Sequence, residues 1–171
     1  MALALCTCSS TTFASASTVK PTVNKGLCKL VGPSVVATAL NASMNYPTTL
    51  DQRSTTVCAY RAKQESGTGV IIRYETKSSN ANFAKTKTTF RHRGQKLAAI
   101  TGLGDEAYYF SETAGEVTVT TVVLRSGSLQ LLVTGTATLN PIGSLAQYAL
   151  TQFDSKATSA PTTTLPEQSP G

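Results

Sequence analysis

Val117-Thr118-Val119-Thr120-Thr121-Val122-Val123-Leu124-Arg125-Ser126-Gly127-Ser128-Leu129-Gln130-Leu131-Leu132-Val133-Thr134 is the stretch that decides the fold. Val117, Val119, Thr121 and Val123 alternate with Thr118, Thr120, Val122 and Leu124. A period of two places successive side chains on opposite faces of a strand. Ser126-Gly127 then reads as a two-residue turn. Beyond it Leu129, Leu131 and Val133 alternate with Gln130, Leu132 and Thr134. The stretch predicts a β-hairpin, and a hairpin implies antiparallel pairing.

Upstream of the hairpin, Ala107-Tyr108-Tyr109-Phe110 reads as a short strand entered from a Gly102-Leu103-Gly104-Asp105 turn. Residues Asn80 to His92 read as a helix with Phe83, Lys87 and Phe90 on one side and Gly94 ending it. The Lys87 stem would have to snorkel from that side. Further back, Thr56 to Arg61 and Thr68 to Glu75 read as strands joined by a polar loop. In them Cys58 and Tyr60 share one face, as do Val70, Ile72 and Tyr74. Gly32-Pro33 opens a short helix with Val35, Val36, Ala39 and Leu40 at helical spacing, closed by Asn41. Downstream, Asn140-Pro141 reads as an N-cap followed by proline, and Ile142, Leu145, Ala149 and Phe153 form an apolar stripe. The expected fold is therefore α+β, an antiparallel sheet with about three helices packed on it.

The chain of 171 residues has room for one domain with tails. Residues 9–25 and 155–171 are dominated by Ser, Thr, Pro, Ala and Lys, and such segments cannot offset their ordering entropy by burial. The expected organisation is an export signal over 1–16, a linker over 17–25, a single domain over 26–154 and a disordered tail over 155–171. Ala2-Leu3-Ala4-Leu5 begins a short apolar run, and Ala14-Ser15-Ala16 has the small-x-small form that signal peptidase accepts. No Lys or Arg precedes the run, so the signal is expected to begin upstream of Met1. Cys6 and Cys8 admit two readings, lipidated residues at the end of a lipoprotein signal or passengers in a discarded one.

Cys28 and Cys58 are the cysteines inside the expected domain. In an exported chain they point to a disulfide, with two buried free thiols as the alternative. Zinc needs more ligands than these two and His92 offer. No cofactor is expected.

The order of these elements resembles the actinobacterial secreted proteins and lipoproteins grouped as domain of unknown function 3558. The resemblance rests on Cys28-Lys29-Leu30-Val31 before the first helix, Val57-Cys58-Ala59-Tyr60, and Gly102-Leu103-Gly104-Asp105-Glu106-Ala107-Tyr108-Tyr109. It departs at Val31, where Leu is common, and at Gly32-Pro33, where Thr and acidic residues usually start the helix. It implies a Mog1/PsbP-like sandwich acting as a binding or sensing module of the envelope, and brings no catalytic residues with it.

The formal charge of +6 favours anionic partners, which for an exported protein are envelope polymers, acidic lipids or another protein. Nucleic acid is not expected, because no binding motif or aromatic-interleaved basic stripe is present. Lys85, Lys87, Arg91, Arg93 and Lys96 form the one local charge bias. They read either as a solvated helix face or as an anion-binding face whose affinity falls with salt. His92, the single histidine, has no Ser or Cys placed beside it by motif. The glycine turn lacks the Lys-Ser/Thr of a phosphate loop. Asp105 and Glu106 are neighbours in sequence, not a pair across a cleft. Tyr108, Tyr109 and Phe110 suit core and sheet edge better than a ligand pocket.

Three function classes follow. The first is a non-enzymatic envelope module, secreted or lipid-anchored, binding through one sheet face or the basic helix. The second is an accessory structural subunit of an envelope complex. The third, a cell-wall enzyme, lacks the clustered nucleophile and base or paired acids it would need. Contact with the membrane is expected only through a lipid on Cys6 or Cys8. The identity of the partner and the oligomeric state are not written in the sequence.

Overall fold

The hairpin is present, with its turn one residue later than the sequence suggested. A computed structural model describes residues 26–64 and 67–158. Strands β6 (Val117–Ser126) and β7 (Leu129–Gly135) pair Ser126 with Leu129, so Gly127 and Ser128 make the turn. Gly127 takes a φ of 54°, and a two-residue turn with positive φ at its first central position reserves that place for glycine. The shift also sets Val122 against Val133 and Leu124 against Leu131. The other register would pair Val133 with Thr120.

Five more strands extend the sheet on both sides: β1 (Thr48–Gln52), β2 (Thr55–Arg61), β3 (Gly69–Glu75), β4 (Ala98–Ile100) and β5 (Glu106–Ala114). Their order is β1-β2-β3-β7-β6-β5-β4, and every neighbouring pair is antiparallel. The β2–β3 hairpin and its buried face of Cys58, Tyr60, Val70, Ile72 and Tyr74 match the sequence reading. Both edge strands were absent from that reading. Four of the five residues of β1 are exposed, so it has no apolar alternation, and β4 is only three residues long. Short edge strands limit pairing with strands of other chains.

Three helices complete the α+β fold: α1 (Pro33–Leu40), α2 (Asn80–His92) and α3 (Leu139–Thr158). Pro33 stands at the start of α1, and Asn41 ends it in the left-handed conformation at φ 51°. Ser79 caps α2 by accepting from the Asn82 N–H at 3.2 Å. Helix α3 begins at Leu139, so Asn140 lies inside its first turn and is not the N-cap. It continues to Thr158, past the boundary at 154 where a disordered tail was expected. Ser155-Lys156-Ala157 contains no helix breaker, and the next proline is Pro161. The expected export signal and linker with Cys6 and Cys8, and the tail from Ser159 to Gly171, lie outside the described residues. Among the described residues no helix is long and apolar enough to cross a membrane.

Helices α1 and α3 cover one face of the sheet. There Val122, Leu131 and Val133 meet Ile142, Leu145 and Ala149 in the main core, all at 1% exposure or less. Helix α2 covers the other face, where Phe83, Tyr108 and Val123 form a second, smaller core. Topology fixes the reach of α2. It carries the chain from β3 in the middle of the sheet to β4 at the far edge, across β7, β6 and β5. Nothing in that path covers β1, β2 and β3.

Candidate functional site

The five basic residues read as either a solvated helix face or an anion-binding face do not share one face. Phe83 is buried against Tyr108, and Phe90 packs on Phe110 at 4.7 Å, so these mark the inward side of α2. At 100° per residue, Lys85 then points to solvent while Lys87 and Arg91 lie on the flank toward β5. Lys87 is already engaged. Its ammonium sits 2.6 Å from the Glu106 carboxylate and 5.6 Å from the centre of the Tyr108 ring. Its stem snorkels as the sequence predicted, but its charge is spent inside the fold. Arg91, Arg93 and Lys96 are exposed at and beyond the C-terminal end of α2, where cations interact favourably with the helix dipole.

The remaining sequence candidates are spread over the fold. His92 ends α2 and is exposed. The glycine turn latches the β6–β7 turn: the Asp105 carboxylate accepts from the Arg125 guanidinium at 2.8 Å and from the Gly127 N–H at 2.9 Å. Tyr108 and Phe110 lie under α2, while Tyr109 packs on the main core from the opposite face. Burial raises the pKa of the Tyr108 hydroxyl; the Glu106 charge adds to this and Arg91 opposes it. Among the described residues no group of three or more His, Cys, Asp or Glu side chains could hold a metal ion.

Cys28 and Cys58 are joined in a disulfide, with their Cα atoms 5.4 Å apart. It ties a 3-10 turn (Leu27–Lys29) to the middle of β2. The Tyr60 hydroxyl, one same-face position along β2, donates to the Val31 carbonyl at 2.6 Å, with the Cys28 carbonyl 3.2 Å away. Both bonds hold the approach to α1 against the sheet. Both partners are buried, so this is a staple and not a reactive centre.

What the fold leaves open is half of the α2 face. Register places Leu50 of β1, Val57 and Ala59 of β2, Ile71 of β3, Thr134 of β7 and Val119 of β6 on that face. Ile71 is 48% exposed although β3 is an interior strand, whereas Val123 on the same face under α2 is 0% exposed. Leu50 at 56% widens the patch toward the β1 edge. A depression of about 580 Å³ lies at the β2–β3 loop end, lined by Ala59, Arg61, Ile71, Val119 and Thr134 among others. A second, of about 780 Å³, lies at the β1–β2 turn with Val57, Arg53 and Arg73 in its lining. The open half-face is thus an apolar strip with Arg61 at one end and the Arg73–Glu75 pair and Arg53 toward the other.

The sequence offered one face of the sheet or the basic helix as a binding surface and did not point to this uncovered half-face. The signal was present in Val70-Ile71-Ile72, where one of two adjacent isoleucines must point away from the core. No protein-family model, no curated protein and no solved structure matches the chain. The resemblance to domain of unknown function 3558 therefore stands on the order of its motifs alone.

Proposed function

We propose that this chain is an exported, non-enzymatic binding module of a cell envelope, and that it engages its partner through the sheet half that α2 leaves uncovered. The exposure of Ile71 on an interior strand carries the reading. A large apolar side chain in the middle of a sheet is ordinarily covered, and a contiguous apolar patch at the surface marks an interaction site. The disulfide supports an extracytoplasmic setting, because such bonds persist in oxidising compartments. Secretion with or without a lipid on Cys6 or Cys8 belongs to the same proposal.

Two measurements test it. The intact mass of unreduced protein from its native host is expected to show a processed N-terminus and the loss of two hydrogens at Cys28–Cys58; two free thiols would count against export. Purification from detergent-solubilised envelopes separates the remaining readings. A stoichiometric protein partner favours an accessory subunit, and a co-purifying small ligand favours a sensing module.

A further inference from the structure

We infer that the uncovered half-face receives an amphipathic helix of a partner protein, with an apolar stripe at its centre and carboxylates toward both ends. This rests on the binding-face reading above and adds the shape and charge of the occupant.

Shape comes first. Helix α2 covers Tyr108 and Phe110 of β5, Val123 of β6 and Leu132 of β7 but leaves Val119, Thr134 and strands β1, β2 and β3 open, so it stands as a wall one helix diameter high, about 10 Å, beside the open strip. The Thr86 hydroxyl on that side of the wall accepts from the Gln130 amide at 3.3 Å and fixes the wall to β7. A flat surface such as a bilayer fits this step poorly. A helix laid beside α2 fills it. Same-face positions of β2 from Thr55 to Arg61 span about 20 Å at strand rise. That matches the roughly 20 Å length of the 13-residue α2 itself.

Charge selects among helices. The strip between the ends is Val57, Ala59 and Ile71, with Leu50 on its outer side. Arg61 stands at one end and Arg53 in the turn at the other, while Arg73 lies level with Val57, one same-face position short of Glu75. Arg73 pairs with Glu75 at 2.5 Å, while no carboxylate among the described residues pairs with Arg53 or Arg61. Arg53 also holds a left-handed φ of 52° in the β1–β2 turn, a conformation ordinarily filled by Gly, Asn or Asp. A cation stands at a position where turn chemistry alone prefers another residue. A second copy of this chain is disfavoured as occupant, because a two-fold contact through the strip would set its arginines against one another.

The test places a photo-crosslinking phenylalanine analogue at Ile71 of the full chain in its native host, with the same analogue at exposed Thr88 on α2 as control. The expected result is one protein captured at 71 and not at 88. Its crosslinked peptide, sequenced by mass spectrometry, should carry Asp or Glu within two helical turns on each side of the apolar contact. Arg61→Glu with Arg73→Glu should lower the yield by about tenfold, and Arg61→Gln with Arg73→Gln should lower it in the same direction. Lys85→Glu with Lys96→Glu makes the same charge change elsewhere and should leave it unaltered. Capture of a second copy, a lipid or a segment without carboxylates would overturn the inference while leaving the binding face intact. So would indifference to both arginine pairs. Equal capture at 71 and 88 would remove the binding face and the inference together.

Discussion

The Tyr60 hydroxyl donates to the Val31 carbonyl at 2.6 Å, and both residues are buried at 1% exposure or less. The bond spans from the sheet to the segment entering α1, beside the disulfide that makes the same crossing. Tyr60→Phe leaves a buried carbonyl without its donor, and the expected loss is about 1–2 kcal/mol in urea unfolding. Burial also pushes the Tyr60 pKa up to about 12. The protonated hydroxyl is thus favoured in the folded state, and its contribution is complete below the unfolded value of about 10. It is lost as pH rises from there through about 12. Alkaline unfolding is expected to be less steep in Tyr60→Phe than in the parent protein, and identical slopes would contradict the assignment.

The disulfide spans 30 residues in sequence. Closing a loop of that length restricts the unfolded chain by about 3–4 kcal/mol in the chain-entropy account. Cys28→Ala with Cys58→Ala should lower the unfolding free energy by that order, and reductant should then have no further effect. The sheet hydrogen bonds do not depend on the bridge, so the far-ultraviolet circular dichroism of the variant should be unchanged. A folded variant as stable as the parent would show that the staple is idle.

Gly104 separates a conformational requirement from a steric one. Its φ is 63°, and a Cβ there would stand 2.5 Å from the Arg125 carbonyl oxygen. Gly102 has a φ of 77° with open space around it. Gly102→Ala should therefore cost about 1 kcal/mol from backbone strain, and Gly104→Ala clearly more, because the latch onto the β6–β7 turn must also give. Equal costs for the two variants, measured by denaturant titration, would mean that the contact with Arg125 relaxes freely.

Much of the fold was legible because its central strands alternate strongly and its helices carry stripes. Val122, Leu124, Leu131 and Val133 have to face a core, and turn glycines punctuate them. The edge strands were not legible, since Thr48-Thr49-Leu50-Asp51-Gln52 buries almost nothing and so has no pattern to read. The candidate site was legible only in part. A run of cations is visible in sequence, but Glu106, which engages Lys87, comes from β5 and has no local signature. The open half-face depends on where α2 stops, and that follows from strand order, which no local pattern encodes. Its clearest sequence trace is Ile71, an apolar residue on the outward side of an otherwise regular strand.

Ile71→Glu tests the central claim most directly, read in two ways on the same preparation. If Ile71 serves a partner and not the core, the unfolding free energy should fall by no more than about 1 kcal/mol, the span of strand propensity. Recovery of the partner from solubilised envelopes should fall by about tenfold or more, the equivalent of about 1.4 kcal/mol in binding. A loss of several kcal/mol in stability would show that this face belongs to the core, and undiminished recovery from a stable variant would show that the partner binds elsewhere.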